Sequence, residues 1–156
     1  MTPAIDQARK AEIPFQIHEY EHDAQADSYG EEAAEKLSQD PARVFKTLVV
    51  QLDGKTLAVG IVPVTGRLNL KQLAKAAGAK RAVMADARDV ERATGYVLGG
   101  VSPLGQKKRL PTVLDSSAGD FDTIYVSAGR RGLEIELTPA DLLQLTGGRL
   151  APIGQD

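Results

Sequence analysis

The sequence predicts an α+β fold whose sheet is mixed and mostly antiparallel. Three observations favour this class. A strand-forming segment at residues 43–50 is followed by the hairpin signal Asp53-Gly54 and then by a second apolar segment. Helix starts are marked by capping residues such as Thr2 and Asn69. Hairpins and helices are mixed along the chain, without the regular alternation that is typical of parallel sheets.

Length and composition limit what the chain can be. Its 156 residues predict one domain, residues 1–156. Because cysteine is absent, disulfides and thiolate metal sites are excluded. A net charge of −2 argues against a wide basic surface for DNA. No apolar run reaches the roughly 20 residues of a membrane span, and the N-terminus lacks a signal peptide pattern. We expect a cytoplasmic protein whose partners include neither a membrane nor DNA.

The N-terminal elements can be placed from local signals. Thr2-Pro3 is a typical helix start, and the helix should end before Pro14. Residues 15–21 alternate between apolar and polar side chains, which predicts a strand. Residues 28–31 form a capping box for a helix that should run to about Gln39.

The strand at residues 43–50 is apolar on both faces except for Lys46, so it predicts a central, buried strand. A buried ammonium group is costly without an anion. Lys46 therefore has two interpretations. It could block pairing at a sheet edge, or it could be a cation at the floor of a pocket for a carbonyl, carboxylate or phosphate oxygen.

The second half of the chain alternates between helix signals and short apolar segments. Asn69 and Asp86 cap helices that end at Gly78 and Gly95. Thr138-Pro139 opens the last helix. The predicted strands are residues 82–84, 96–98, 112–114, 122–127 and 133–137, with a turn at residues 129–132.

Few groups offer chemistry. Residues 99–105 form a Gly-rich loop whose backbone N–H groups could bind an oxyanion. A cationic run follows, and a late strand carries two glutamates on one face. His18, His22 and the neighbouring Asp23 are spaced poorly for one ion, so we expect no metal and no cofactor. The chain has no nucleophile motif of a known type.

Several short motifs are familiar in combination. They are Tyr20, Tyr29-Gly30, Phe45-Lys46-Thr47-Leu48, Gly95-Tyr96, residues 99–105, Lys107-Lys108, Tyr125-Val126-Ser127 and Arg131-Gly132-Leu133. Together they resemble the YbaK family over essentially the whole chain. That family consists of free-standing Cys-tRNA(Pro) deacylases similar to the editing domain of bacterial prolyl-tRNA synthetases. The resemblance implies a curved, barrel-like sheet with surrounding helices.

The resemblance also implies roles for individual residues. Lys46 would bind the substrate end, and the loop from Gly99 to Pro103 would offer amides to the ester carbonyl. The N–H donors would be those of Gly99, Gly100, Val101 and Ser102, and Pro103 would be among the substrate-binding residues. The pocket would be lined by Tyr20, Tyr29, Thr47, Ser127 and Glu134. Close relatives commonly carry Asp where this chain has Glu134. The charged residues predicted to contact tRNA are Lys107, Lys108, Arg109, Arg130 and Arg131.

The favoured function is deacylation in trans of Cys-tRNA(Pro), and also of Cys-tRNA(Cys), with prolyl-tRNA synthetase as partner. Two alternatives stay open: the same chemistry on another small residue, as in Ala-tRNA(Pro), and a non-catalytic module that binds a nucleotide or tRNA end. For the mechanism, the substrate thiol could attack its own ester, in keeping with the resemblance. The competing route is a water molecule held by Tyr20, Ser127 or Glu134.

Overall fold

A computed structural model describes residues 1–25 and 29–156. The α-helices in this part of the chain are α1 (Pro3–Lys10), α2 (Tyr29–Lys36), α3 (Leu70–Ala76), α4 (Ala87–Thr94) and α5 (Pro139–Thr146). The strands are β1 (Gln16–Glu19), β2 (Phe45–Leu52), β3 (Thr56–Pro63), β4 (Arg67–Leu68), β5 (Ala82–Met84), β6 (Thr112–Asp115), β7 (Ile124–Arg130), β8 (Leu133–Leu137), β9 (Arg149–Ala151) and β10 (Gly154–Gln155). No helix of these residues is long and apolar enough to cross a membrane.

The helix starts follow the predicted caps. The side chain of Asn69 accepts a hydrogen bond from the N–H of Gln72 at 3.1 Å, and that of Asp86 accepts from Asp89 at 2.9 Å. Thr138 caps α5 in the same way. Each cap satisfies an N–H group that the helix itself leaves unpaired. The predicted capping box depends on Ser28, which lies outside the described residues.

The larger sheet has five strands in the order β5-β2-β3-β6-β9. The β2–β3 hairpin is confirmed, with Lys46 opposite Val62. Strands β6 and β9 add in parallel, whereas β5 adds antiparallel to β2. The prediction of a mixed sheet is therefore confirmed.

A second, antiparallel sheet has the order β1-β8-β7, and a parallel bridge between Val44 and Tyr125 links it to the start of β2. Strands β4 and β10 form a separate antiparallel pair. Most pairings are antiparallel, as expected. Strands β4, β9 and β10 were not predicted, because each has only two or three residues and so shows no pattern.

Strand β2 is buried on both faces, as predicted. Phe45 and Val49 belong to the main core, which also takes in α1, α5 and the inner face of the second sheet. Val50 and Leu52 point the other way, into a core beneath α3. Two cores on opposite faces fix the register of β2, since a slip of one residue would exchange them.

The predicted strand at residues 96–98 is wrong. Tyr96 is buried, and its hydroxyl donates to the carbonyl of Leu104 at 2.6 Å, while Val97 and Leu98 are exposed in a turn. The apolar run resembled a strand, but the ring of Tyr96 anchors the loop to the core instead. Strand β7 also runs to Arg130, so the turn before β8 is shorter than predicted.

Candidate active site

A cleft of about 330 Å³ lies where the two larger sheets meet. It is lined by Tyr20, Gly30, Phe45, Lys46, Thr47, Leu48, Leu98, Gly99, Val101, Ser127, Arg130, Arg131 and Glu134. Most of the site residues predicted from the sequence therefore lie around one cavity. We call it the central cleft.

The central cleft runs along one side of β2, the side on which β5 pairs further along the strand. Four consecutive residues, 45–48, line it, although alternate side chains of a strand point to opposite faces. Strand β5 pairs only with residues 50–52, so β2 has no neighbour on that side at Lys46 among the described residues. The carbonyl of Val49 accepts from the N–H of Ala85 on this side. By the period-2 alternation of a strand, the backbone groups of Thr47 face the cleft as well.

Lys46 is half-buried in the wall of the cleft. Burial lowers the pKa of its ammonium group, and the charge of Glu31 partly opposes this effect. The unpaired side of β2 beside Lys46 faces a cavity. The position of Lys46 therefore favours a role as a pocket cation over a role in blocking strand pairing at a sheet edge. An oxyanion arriving there would relieve the cost of burying the charge.

Thr47 adds a hydroxyl without a partner. Its Oγ1 atom is buried and has no hydrogen bond within the described part of the chain. A buried polar atom left unpaired costs about 1–3 kcal/mol. The backbone N–H and C=O groups of Thr47 face the cleft as well. Thr47 therefore brings several unpaired hydrogen-bonding groups to this wall of the cleft.

The Gly-rich loop enters the cleft through a tight turn at residues 97–100. The N–H of Gly100 donates to the carbonyl of Val97 at 3.0 Å, and Gly99 has a φ of +92°, the signature of a type II turn. This hydrogen bond occupies the Gly100 amide. The N–H groups of Gly99 and Val101 have no partner among the described residues, and both residues line the cleft.

Gly100 instead holds the loop against the second sheet. A Cβ atom at this position would lie 3.0 Å from the Cα of Arg130. Ser102 is fully buried, and its Oγ accepts from the N–H of Leu104 at 3.2 Å. Pro103 lines a different cleft, beside Gln7. The structure thus brings the first part of the predicted loop to the cleft, but not Ser102 or Pro103.

Glu134 is an unusual member of the cleft. It is only 7% exposed, and burial raises the pKa of its carboxyl group from 4.5 to about 8. On β7, Ser127 lies directly opposite, and its Oγ accepts from the N–H of Gly129 at 3.1 Å. Burial and the neighbouring Glu134 raise the pKa of Tyr20 as well. With the carboxyl group of Glu134 and the phenol of Tyr20 both neutral, this side of the cleft is polar but carries little charge.

The structure divides the predicted tRNA contacts into two groups. Arg130 and Arg131 line the central cleft. Lys108 and Arg109 line the other cleft with Pro103, and the stem of Lys107 lies against Gly95. The predicted contact of Tyr29 cannot be placed, since its side chain lies outside the described residues.

Sequence reasoning missed a network that holds Arg131. The guanidinium Nη1 donates to Nε2 of His22 at 2.6 Å, so that nitrogen must be an acceptor. His22 Nδ1 therefore donates to Glu32 Oε1 at 2.7 Å. The pKa of Glu32 is lowered, because hydrogen bonds from His22 and from the N–H of Asp23 outweigh the opposing effect of burial.

His18 lies apart from this network. Its Nε2 contacts Glu136 Oε1 at 2.9 Å, so the two histidines of the chain serve different carboxylates. No signal in the sequence would have shown that Glu32, beside two alanines in α2, is buried.

The chain is similar to known proteins in family, sequence and fold. The family described as "Aminoacyl-tRNA editing domain" matches residues 23–145. A protein of Enterococcus faecalis, EbsC, named as a candidate Cys-tRNA(Pro)/Cys-tRNA(Cys) deacylase, is 40% identical over 97% of this chain and 92% of its own length. YwhH of Bacillus subtilis, named as uncharacterized, is 29% identical over 74% of this chain and 73% of its own.

Among solved structures, a candidate trans-editing enzyme for prolyl-tRNA synthetase superposes with a TM-score of 0.85 at 22% identity. The match covers 100% of this chain and 99% of that one. At this level of identity the likeness extends to the fold, and it agrees with the mixed α+β architecture described above.

Proposed function

The chain belongs to the aminoacyl-tRNA editing domain family, and we propose that it is a deacylase that hydrolyses the ester of Cys-tRNA(Pro), and also of Cys-tRNA(Cys). The observation that carries the proposal is the central cleft, where Lys46 and the unpaired amides of Gly99 and Val101 converge. The 40% identical relative supports the substrate class.

Ester cleavage develops negative charge on the carbonyl oxygen, and preorganised donors stabilise that charge. In the proposed complex, the amides of Gly99 and Val101 donate to this oxygen, because they have no partner among the described residues. Lys46 supplies the balancing positive charge from the edge of β2. Gly100 acts indirectly, since its amide is used within the turn and its lack of a side chain lets the loop rest on Arg130.

The amino end of the substrate is assigned to the other wall. An α-ammonium group needs hydrogen-bond acceptors, and Glu134 and the outward-facing carbonyl of Thr47 provide them. Glu134 would give up its proton when the ammonium arrives, because an opposite charge nearby favours the ionised carboxylate.

The nucleophile comes from the substrate. Neither His18 nor His22 lines the central cleft, and the hydroxyl of Ser127 has no histidine beside it there. A cysteine thiol near a cation ionises more readily than a free thiol. The thiolate attacks its own ester carbonyl, the 3′ oxygen of the ribose leaves and takes a proton, and the resulting thiolactone is hydrolysed by water to free cysteine.

The tRNA itself would be held by few charges. Arg130 and Arg131 lie at the cleft, while Lys108 and Arg109 border a second cleft. Few phosphate contacts predict weak binding whose affinity falls with salt along a shallow slope, since each contact adds to the steepness of that fall. Prolyl-tRNA synthetase is the proposed partner that delivers the substrate.

A panel of purified aminoacyl-tRNAs tests the function. Cys-tRNA(Pro), Cys-tRNA(Cys) and Ala-tRNA(Pro) are incubated separately with the protein, and the remaining ester is measured over time. Loss of both cysteinyl esters and retention of the alanyl ester is expected. Rapid loss of alanine alone would support the alternative substrate, and binding without loss of any ester would support a non-catalytic module.

A further inference from the structure

The rim of the central cleft carries an exposed apolar side chain, Leu98, whose chain neighbour Val97 is exposed as well. Val97 is 60% exposed and Leu98 is 58% exposed. In the described part of the chain, the other exposed large apolar residues are Met1, Val83, Met84 and Leu150. Leu98 is the one of this set that also lines the central cleft. The proposed hydrolysis leaves the pair without a role.

The pair is held in place by its turn. The hydrogen bond from Gly100 to Val97 closes the turn at residues 97–100, which leaves Leu98 at its tip. Gly100 lies directly on the backbone of Arg130. The apolar tip is therefore fixed beside the start of the turn that carries the two arginines, and the spacing between the two features does not depend on a flexible segment.

The rim thus combines an apolar surface with two guanidinium groups. Arg131 is held by His22 at 2.6 Å, and Arg130 lies near the carboxylate of Glu19 at 3.7 Å. A nucleotide has matching parts, namely a flat base that gains from leaving water and a phosphate that attracts cations. A phosphate alone would make no use of Val97 and Leu98.

We propose that Val97 and Leu98 form a platform for the terminal base of the acylated tRNA, with the phosphate of that nucleotide at Arg130 and Arg131. The inference rests on the proposed function, since it assigns the part of the substrate next to the ester. It places the base at the mouth of the cleft, from which the ribose 3′ oxygen and its amino acid reach the loop amides.

The test is a two-by-two cycle. The protein is compared with the double variant V97S/L98S, and a cysteinylated acceptor minihelix ending in adenosine is compared with one ending in an abasic ribose. Both residues are exposed, so the variant should fold. The matched control is V83S/M84S, which removes an exposed apolar pair from β5 that does not line the central cleft.

In the unaltered protein, loss of the base should reduce kcat/KM about tenfold, in the lower part of the range for one base–aromatic contact, because Val97 and Leu98 have no π face. V97S/L98S should show the same loss with the adenosine substrate and no further loss with the abasic one. V83S/M84S should behave like the unaltered protein. Additive losses, or an unchanged kcat/KM in V97S/L98S, would overturn the platform and leave the pair as a surface for a protein partner.

Failure of the proposed function gives a different result. In that case the unaltered protein leaves both cysteinyl esters intact. Affinities for the corresponding uncharged minihelices are then measured in the same four combinations. A base-dependent affinity that V97S/L98S removes would support the platform, and equal affinities throughout would refute it.

Discussion

Replacing Glu134 with Gln should remove a pH-dependent loss of stability. In the folded protein burial raises the pKa of this carboxyl group to about 8, whereas its ordinary value is 4.5. Below pH 4.5 the group is protonated in both the folded and the unfolded chain, so it has no linkage effect. Above that pH the unfolded chain releases the proton while the folded chain keeps it, so stability falls as pH rises towards 8.

The size of the effect follows from the two pKa values. Each pH unit between them costs 1.36 kcal/mol, so at pH 7 the free energy of unfolding is lower by about 3 kcal/mol than at pH 4.5 on account of Glu134. A glutamine has almost the same shape and does not titrate. The stability difference between the variant and the unaltered protein should therefore grow in favour of the variant by about this amount.

Urea denaturation of both proteins at several values between pH 4.5 and pH 8 measures the difference. Subtracting the two curves cancels the contribution of every other titrating group that the substitution leaves unchanged. A difference that stays flat across this range would refute the reasoning, because it would mean that Glu134 ionises normally in the folded state. If the carboxylate holds the substrate ammonium, the variant should also hydrolyse the cysteinyl ester more slowly than the unaltered protein.

Substitutions at three further positions test the cleft. Lys46→Ala should lower deacylation by about 10²–10³-fold, the order for loss of one oxyanion donor, with the urea midpoint unchanged; full activity would revive the edge-lysine interpretation. Gly100→Ala should lower activity more than stability, since a Cβ would meet the Cα of Arg130 at 3.0 Å and a small shift of the loop would displace the cleft amides of Gly99 and Val101; a thermal melt and the activity of the folded fraction decide this. His22→Gln should keep Arg131 in place, because a carboxamide can accept from one side and donate to the other, whereas His22→Ala should raise KM with little change in kcat. Equal KM values for the two would exclude a positioning role.

Much of the fold could be predicted because its signals are local. A cap needs only one side chain and a nearby N–H group, as at Asn69, and the hairpin around Asp53-Gly54 is fixed by two residues. The strand predicted at residues 96–98 failed for the opposite reason. Its conformation is decided by the hydroxyl of Tyr96 reaching Leu104, eight residues further on.

The residues of the cleft also divide into those that could be predicted from the sequence and those that could not. Lys46 could be singled out from sequence because a charge in an apolar strand is visible in the pattern. The burial of Glu134 could not, since an acidic residue in an alternating strand reads as solvent-facing until the opposing sheet is placed. The link from Glu32 through His22 to Arg131 joins three separate segments, and only the tertiary structure brings them together.

The cleft has unpaired amides and a cation, but among the described residues no histidine lines it beside the hydroxyl of Ser127. The two candidate routes, attack by the substrate thiol and attack by a bound water, differ in what the substrate must supply. A thiol is partly ionised at neutral pH and is intrinsically a strong nucleophile, whereas a hydroxyl needs a base to become one. Selectivity for cysteine would then follow from chemistry, because shape alone separates such small side chains by only ~1–3 kcal/mol.

Seryl-tRNA(Pro) distinguishes the two routes. Serine has nearly the shape of cysteine, so it should enter the cleft and compete with the cysteinyl substrate. If the substrate thiol is the nucleophile, the cysteinyl ester should disappear rapidly while the seryl ester on the same tRNA persists. Deacylation is followed for each ester separately, and inhibition of cysteinyl hydrolysis by seryl-tRNA(Pro) shows that both bind. Comparable rates for two esters that both bind would rule out the thiol and assign the attack to a water molecule beside Tyr20, Ser127 and Glu134.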